Sequence, residues 1–104
     1  MSFQIGGAIL DFVVLAVLSR EDAYGYLLTG QVREILDVSE TALYPALKRL
    51  QKAGLLETYD KPFQGRNRRY YRITPAGLTE LAKYESDWTQ FQTHMHTLLN
   101  GGTE

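Results

Sequence analysis

Ser39-Glu-Thr-Ala-Leu-Tyr-Pro-Ala-Leu-Lys-Arg-Leu-Gln-Lys-Ala-Gly54 runs directly into Leu55-Leu-Glu-Thr-Tyr-Asp-Lys-Pro-Phe-Gln-Gly-Arg-Asn-Arg-Arg-Tyr-Tyr-Arg-Ile73, and then into Thr74-Pro-Ala-Gly77. The first part reads as a helix. Ser39 is a good N-cap, because its hydroxyl can accept from a first-turn N–H that has no helical partner. Leu43, Leu47 and Leu50 are spaced by four and three, with Ala46 and Ala53 beside them, and form a core-facing stripe. Glu40, Thr41, Tyr44, Lys48, Gln51 and Lys52 occupy the opposite face. Pro45 lies too deep for the first helical position, so it removes one backbone bond and should bend the helix. Gly54 ends it as the residue just past the C-cap. The second part reads as an antiparallel pair, Leu55–Tyr59 and Arg69–Ile73, with alternating Tyr71, Ile73 and Leu56. Its connection, Asp60–Arg68, holds Pro62, Gly65 and Asn67 and reads as a loop. Thr74-Pro75 is a helix start, an N-cap followed by proline at the first helical position.

Charge gathers on this stretch. Lys48, Arg49, Lys52, Lys61, Arg66, Arg68, Arg69 and Arg72 face only Glu57 and Asp60, a surplus of six positive charges in a chain whose total is −1. A basic patch on an otherwise acidic body points to a polyanion met on one face. A charged loop is usually only solvated. Here the arginines stand beside a helix bearing Lys48 and Lys52, and together these can bridge phosphates and reach a minor groove. Thr41 and Tyr44 lie where a recognition helix reads base edges, although the Tyr44 ring can also serve packing.

Upstream, about Ile5–Leu18 reads as a helix that is apolar nearly all round, and such a helix is buried on every side. A small domain cannot easily wrap it alone, so part of it is expected to face a second subunit. Its valines leave a strand as the competing reading, against which stands the length of the run without a turn residue. A second helix covers roughly Tyr24–Ile35. The few residues from there to Ser39 suit a helix-turn-helix. Downstream, about Pro75–Leu99 reads as one long helix. Leu81, Tyr84, Trp88, Phe91, Met95 and Leu98 follow steps of three and four, a coiled-coil seam. Such a helix extends roughly 37 Å, beyond the body of a small domain. Packing on its own domain is the plainer reading; dimerisation is favoured because the seam runs almost to the C-terminus.

A chain of 104 residues is one compact unit, divided here into a body, 1–74, and a C-terminal helix and tail, 75–104. The absence of cysteine excludes disulfides and thiol chemistry and fits a reducing compartment. His94 and His96 are two apart on a helix and face different ways, so no metal site is expected. Gln64-Gly65-Arg66 lacks the Gly-Lys-Ser/Thr element of a phosphate loop. No cofactor and no enzymatic activity are expected. The apolar stretch Ala8–Leu18 contains Asp11, is too short for a bilayer and lacks the basic start of a signal peptide, so a soluble, cytoplasmic protein is expected.

Three ordered motifs carry a family resemblance. Ala23-Tyr-Gly-Tyr-Leu-Leu28, Thr41-Ala-Leu-Tyr-Pro-Ala-Leu-Lys-Arg-Leu50 with Gly54-Leu-Leu, and Arg68-Arg-Tyr-Tyr-Arg-Ile-Thr-Pro-Ala-Gly77 resemble the PadR family of bacterial winged-helix transcriptional regulators. The likeness covers about Ile9 to Leu81. It implies a mainly α fold with a small β-hairpin, ordered helix–helix–helix–strand–strand–helix, the third helix in the major groove and the hairpin as wing. Pro45 becomes a feature of the family. The short tail resembles the small subgroup, which has a single C-terminal dimerisation helix. The wing departs from many members in having one glycine in Gln64-Gly65-Arg66-Asn67.

The resemblance implies a dimeric repressor of double-stranded DNA. The expected DNA-contacting residues are Ser39, Thr41, Tyr44, Pro45, Lys48, Gly65, Arg66 and Arg68. The expected homodimer interface is Ile5, Ile9, Phe12, Leu81, Tyr84, Trp88, Phe91, Met95 and Leu98, with Trp88 and Phe12 as a pocket for a planar aromatic effector. The alternative is a winged-helix module whose basic wing binds an acidic protein.

Overall fold

A computed structural model describes residues 7–101. The element order is α1 (Gly7–Arg20), β1 (Ala23–Tyr24), α2 (Gly25–Arg33), α3 (Glu40–Lys52), β2 (Leu56–Phe63), β3 (Arg66–Ile73) and α4 (Pro75–Leu99). All four expected helices form, and the valine-rich run is helical. Val14, Leu15 and Leu18 of α1 are buried against Leu28 and Val32 of α2 and Leu43, Leu47 and Leu50 of α3. The stripe read from α3 is therefore the centre of the core. The helix stays continuous through Pro45.

Both α3 ends follow local chemistry. The Ser39 hydroxyl accepts from the Ala42 N–H at 3.1 Å. Gly54 has φ +80°, and Leu55 N–H donates to Leu50 C=O while Gly54 N–H donates to Gln51 C=O, both at 3.0 Å. That paired closure is a Schellman motif, which needs a left-handed residue at this point. Thr74 then ties the turn to α4. Its N–H donates to Leu55 C=O at 3.1 Å, and its hydroxyl donates to Gly54 C=O at 2.7 Å and accepts from Gly77 N–H at 3.0 Å.

The sheet differs from the expected hairpin in two ways. It has a third strand: β1 pairs antiparallel with β3, Ala23 opposite Tyr71 and Tyr24 opposite Tyr70, giving the order β1-β3-β2. A two-residue strand has no periodicity to read, so the sequence presented Tyr24 as a helix start. The wing is also longer. The segment Asp60–Arg68, read as a loop, is ladder on both sides, and only Gln64 and Gly65 turn. Pro62 fits because β2 is an edge strand.

Gln64 has φ +52° and Gly65 φ +80°. Positive φ at both central residues marks a tight hairpin turn that suits Asn-Gly best. A glutamine there is strained, so Gln64→Asn should stabilise the protein by about 0.5–1 kcal/mol. A urea titration with an unmoved or lowered midpoint would overturn this.

Candidate nucleic-acid interface

Strand alternation sorts the wing's side chains onto two faces. Leu56, Ile73, Tyr71 and Ala23 point to the core side. Asn67, Arg69, Asp60 and Pro62 continue that face towards the tip. Arg66, Arg68, Tyr70 and Arg72 share the other face with Phe63, Lys61, Tyr59, Glu57 and Tyr24.

On the core side, the wing meets the exposed face of α3. Tyr44, Pro45, Leu47, Lys48 and Gln51 line one groove with Arg69 and Tyr71. Tyr44 is half exposed, and Thr41, Pro45 and Lys48 are exposed along the same side of the helix. Arg69 pairs loosely with Asp60 at 3.8 Å, both solvent-facing, a contact weak enough to exchange for a phosphate. Burial pushes the Tyr71 hydroxyl pKa up, against the pull of Arg69, so Tyr71 stays a neutral donor.

The outer face is a ladder of rings and cations. The Arg68 guanidinium lies 3.4 Å from the Phe63 ring centre and 4.0 Å from that of Tyr24. Lys61 sits over Tyr70 at 5.0 Å and Arg72 over Tyr59 at 4.4 Å. Tyr59 and Tyr70 stack at 5.5 Å. Tyr59 donates to Asp22 at 2.6 Å, which raises the Tyr59 pKa. Arg72 also meets Asp22 at 3.6 Å and Glu57 at 3.5 Å. Each such cation–ring contact contributes about 0.5–1 kcal/mol at an exposed site. The contacts of Arg68 with Tyr24 and of Tyr59 and Arg72 with Asp22 fasten the wing to the segment that opens α2.

The basic surplus is thus not one uniform patch. Arg49 turns to the flank and pairs with Asp11 of α1. Burial raises the Asp11 pKa despite that partner. Arg72 is held by acids. Lys48 and Arg69 remain at the α3 groove, Lys52 is exposed at the end of α3, and Arg66 stands at the tip beside Gly65. Of the residues expected to touch DNA, the structure brings Tyr44, Pro45 and Lys48 together, with Thr41 further along α3. Ser39 serves as the α3 cap. Gly65 and Arg66 lie at the wing tip, and Arg68 lies on the outer face. The sequence places Arg69 in the basic hairpin and Gln51 on the exposed face of α3, but neither is among the residues expected to contact DNA. Counting alternation back from a two-residue turn would have found Arg69.

The far end of the molecule is α4. Leu81 and Tyr84 pack on the domain's own core, and Tyr84 stacks on Phe12 at 5.6 Å. Burial raises the Tyr84 pKa, with Asp11 and Glu80 adding to it. Beyond Tyr84 the seam continues: Trp88 and Phe91 lie 6.1 Å apart, Met95 is half-buried and Leu98 is 70% exposed. Ile9 is half-buried on α1, and Ile5 lies outside the described residues.

A helix, a short strand, two more helices and a long hairpin in this order make a winged helix-turn-helix, and residues 14–83 match the Transcriptional regulator PadR-like family. The chain belongs to this PadR-like family. Solved PadR-family regulators share its architecture. One from Clostridium difficile superposes with a TM-score of 0.79 at 30% identity, covering 86% of this chain and 97% of the other. A PadR-like regulator from Bacillus cereus gives 0.80 at 35% identity, covering 88% and 91%. A Streptococcus mutans protein aligns over 100% of this chain and 98% of its own, with a TM-score of 0.88 and 32% identity. Members of the PadR family are transcriptional regulators that bind DNA, and the α3–wing groove is where this PadR-like chain gathers cations and donors. Among the described residues no helix is long and apolar enough to cross a membrane, and no cluster of acids and histidines could hold a metal.

Proposed function

We propose that this PadR-like protein is a cytoplasmic homodimeric repressor that binds a palindromic operator in double-stranded DNA. Each α3 lies in a major groove with Thr41, Tyr44, Pro45 and Lys48 towards the bases and backbone. The wing tip, Gly65 and Arg66, reaches the flanking minor groove. The observation that carries this reading is the groove where Lys48, Gln51 and Tyr44 of α3 meet Arg69 and Tyr71 of the wing. Donors and cations there converge from two elements onto one exposed side, as a phosphate backbone requires.

Dimerisation is assigned mainly to 75–104, joined by part of α1, and DNA reading to the rest of 1–74. The Cα radius of gyration, 15.9 Å, exceeds the about 13 Å usual for 100 residues, as expected where one helix projects from the body. Its outer seam is apolar, and Leu98 and Leu99 are exposed. A second copy burying this seam would set two recognition helices at a fixed spacing, to match half-sites about 34 Å apart. The Trp88 region, with Phe12 at its side, would lie by the dyad and is the proposed seat of a planar aromatic effector that shifts that spacing.

The deciding experiment is binding of the purified protein to duplex fragments of its own genome, including the stretch upstream of its own gene, over a range of salt. Affinity falling steeply and linearly on a log–log plot supports the repressor reading, since phosphate contacts release counterions. Absence of duplex binding, with tight binding to an acidic protein instead, would turn the reading to a protein-interaction module. Within this frame Tyr44→Phe should fold normally and lose one hydrogen bond to DNA, about 1 kcal/mol or roughly fivefold in Kd. Unchanged affinity would reduce Tyr44 to a packing ring.

A further inference from the structure

Three arginines crowd the wing at positions 66, 68 and 69, and in sequence they look equivalent. The ladder separates them. The pairs Asp60–Arg69 and Lys61–Arg68 are consecutive rungs, so their side chains leave opposite faces of the sheet. Arg69 leaves on the side of α3 and lines the groove with Tyr44, Lys48 and Gln51. Its guanidinium is largely exposed, and among the described residues its ion-pair partner is the loose, solvated Asp60 at 3.8 Å. Arg68 leaves on the other side. It is less exposed than its neighbours, and its guanidinium carbon sits over two rings, Phe63 at the wing tip and Tyr24 in β1, 3.4 and 4.0 Å from their centres.

These two environments suit different work. A phosphate contact needs a cation that is solvated, loosely paired and directed to the same side as the helix in the groove. Arg69 meets each condition. A guanidinium already held close over two ring centres is kept in place by those rings. Moving Arg68 to a phosphate would undo the link between the wing tip and the strand that leads into α2. Intact, that link holds a long two-stranded arm at one angle to the body.

Resting on the DNA-binding reading above, we infer that Arg69 is the wing's backbone contact beside α3, and that Arg68 is a positioning residue acting through its contacts with Phe63 and Tyr24. The wing is then a rigid arm whose contacting cation and holding cation are adjacent in sequence and opposite in space. Asp60 restrains Arg69 until DNA displaces it.

The test uses the full chain and a duplex that the parent binds, with anisotropy titrations across salt. Arg69→Ala should lower affinity about tenfold at low salt and reduce the log–log salt slope by about one, the signature of one lost phosphate contact. Arg69→Lys should keep most of the affinity, since the role requires charge. Arg68→Ala should lower affinity with the slope unchanged. Arg68→Lys should fail to restore it, because an ammonium cannot replace a planar group held over two rings. Phe63→Ala removes no charge and should match the Arg68→Ala loss. The pair Phe63→Ala and Arg68→Ala together should lose no more than either alone, the non-additivity of a shared contact. Thermal melts check that each variant is folded. A slope reduced by Arg68→Ala, or left intact by Arg69→Ala, overturns the assignment. A parent that binds no duplex at all refutes the DNA-binding reading instead, so the two failures are distinct.

Discussion

Gly77→Ala is expected to destabilise the protein by about 3 kcal/mol or more, although the same change in an open helix would stabilise it. In an ordinary helix interior, alanine is preferred to glycine by about 1 kcal/mol. At position 77 a Cβ would stand 2.3 Å from the Leu55 carbonyl oxygen and 2.6 Å from Ile73 Cγ1. Ile73 Cγ1 can retreat only by rotation about χ1, which a β-branched side chain resists. The carbonyl is restrained, because it accepts from Thr74 N–H at 3.1 Å and belongs to the turn that closes α3. Relieving the clash means pulling α4 off that turn. The hydrogen bonds from Thr74 to Gly54 and from Gly77 to Thr74 would then weaken, each contributing about 1 kcal/mol, on top of an overpacking strain of about 1–3 kcal/mol. Gly30→Ala is the control. Apart from its chain neighbours and the helix's own backbone, nothing among the described residues lies within 4 Å of a Cβ placed there, so it should gain about 0.5–1 kcal/mol. Urea unfolding of both variants decides the matter: a Gly77→Ala protein as stable as the parent would show that the close approach is not tight.

The second large effect concerns the outer half of α4. Met95→Lys combined with Leu98→Lys should leave the folded protomer nearly unchanged and weaken the proposed dimer by about 1,000-fold or more. Leu98 is 70% exposed in the protomer, so a lysine there loses little burial, and a cation suits the C-terminal turn of a helix. In a symmetric pair each substitution acts twice. Burying a large apolar side chain is worth about 1.5–3 kcal/mol, so four such losses exceed the roughly 4 kcal/mol of a 1,000-fold change. Sedimentation at micromolar concentration measures it. A parent that sediments as a monomer refutes the dimer, and a variant that stays dimeric moves the interface elsewhere, towards α1.

Much of the fold was legible because its signals are local. The 4-3 leucine spacing of α3, the Ser39 and Thr74 caps, Gly54 past the C-cap and proline at the start of α4 each act within one or two turns of chain. Those elements appear within a residue or two of where the sequence placed them. Short-range chemistry also carried the family motifs, since capping and turn residues are what the winged helix repeats.

What the sequence could not supply were the choices made between distant segments. Strand β1 exists because Ala23 and Tyr24 find an edge at Tyr70 and Tyr71, nearly fifty positions away, and two residues have no periodicity of their own. The wing's length depended on whether Gln64 would accept a left-handed backbone, a small local penalty outweighed by a ladder running to the tip. That choice fixed the strand register, and register decides which arginine faces α3. Arg49 looked like part of the basic patch until Asp11 of α1 captured it. The sequence by itself determined the four helices and the presence of a basic hairpin. The tertiary structure alone decided which cations are spent inside the molecule and which face outward, because pairing and parity are set by neighbours that the chain brings together only on folding.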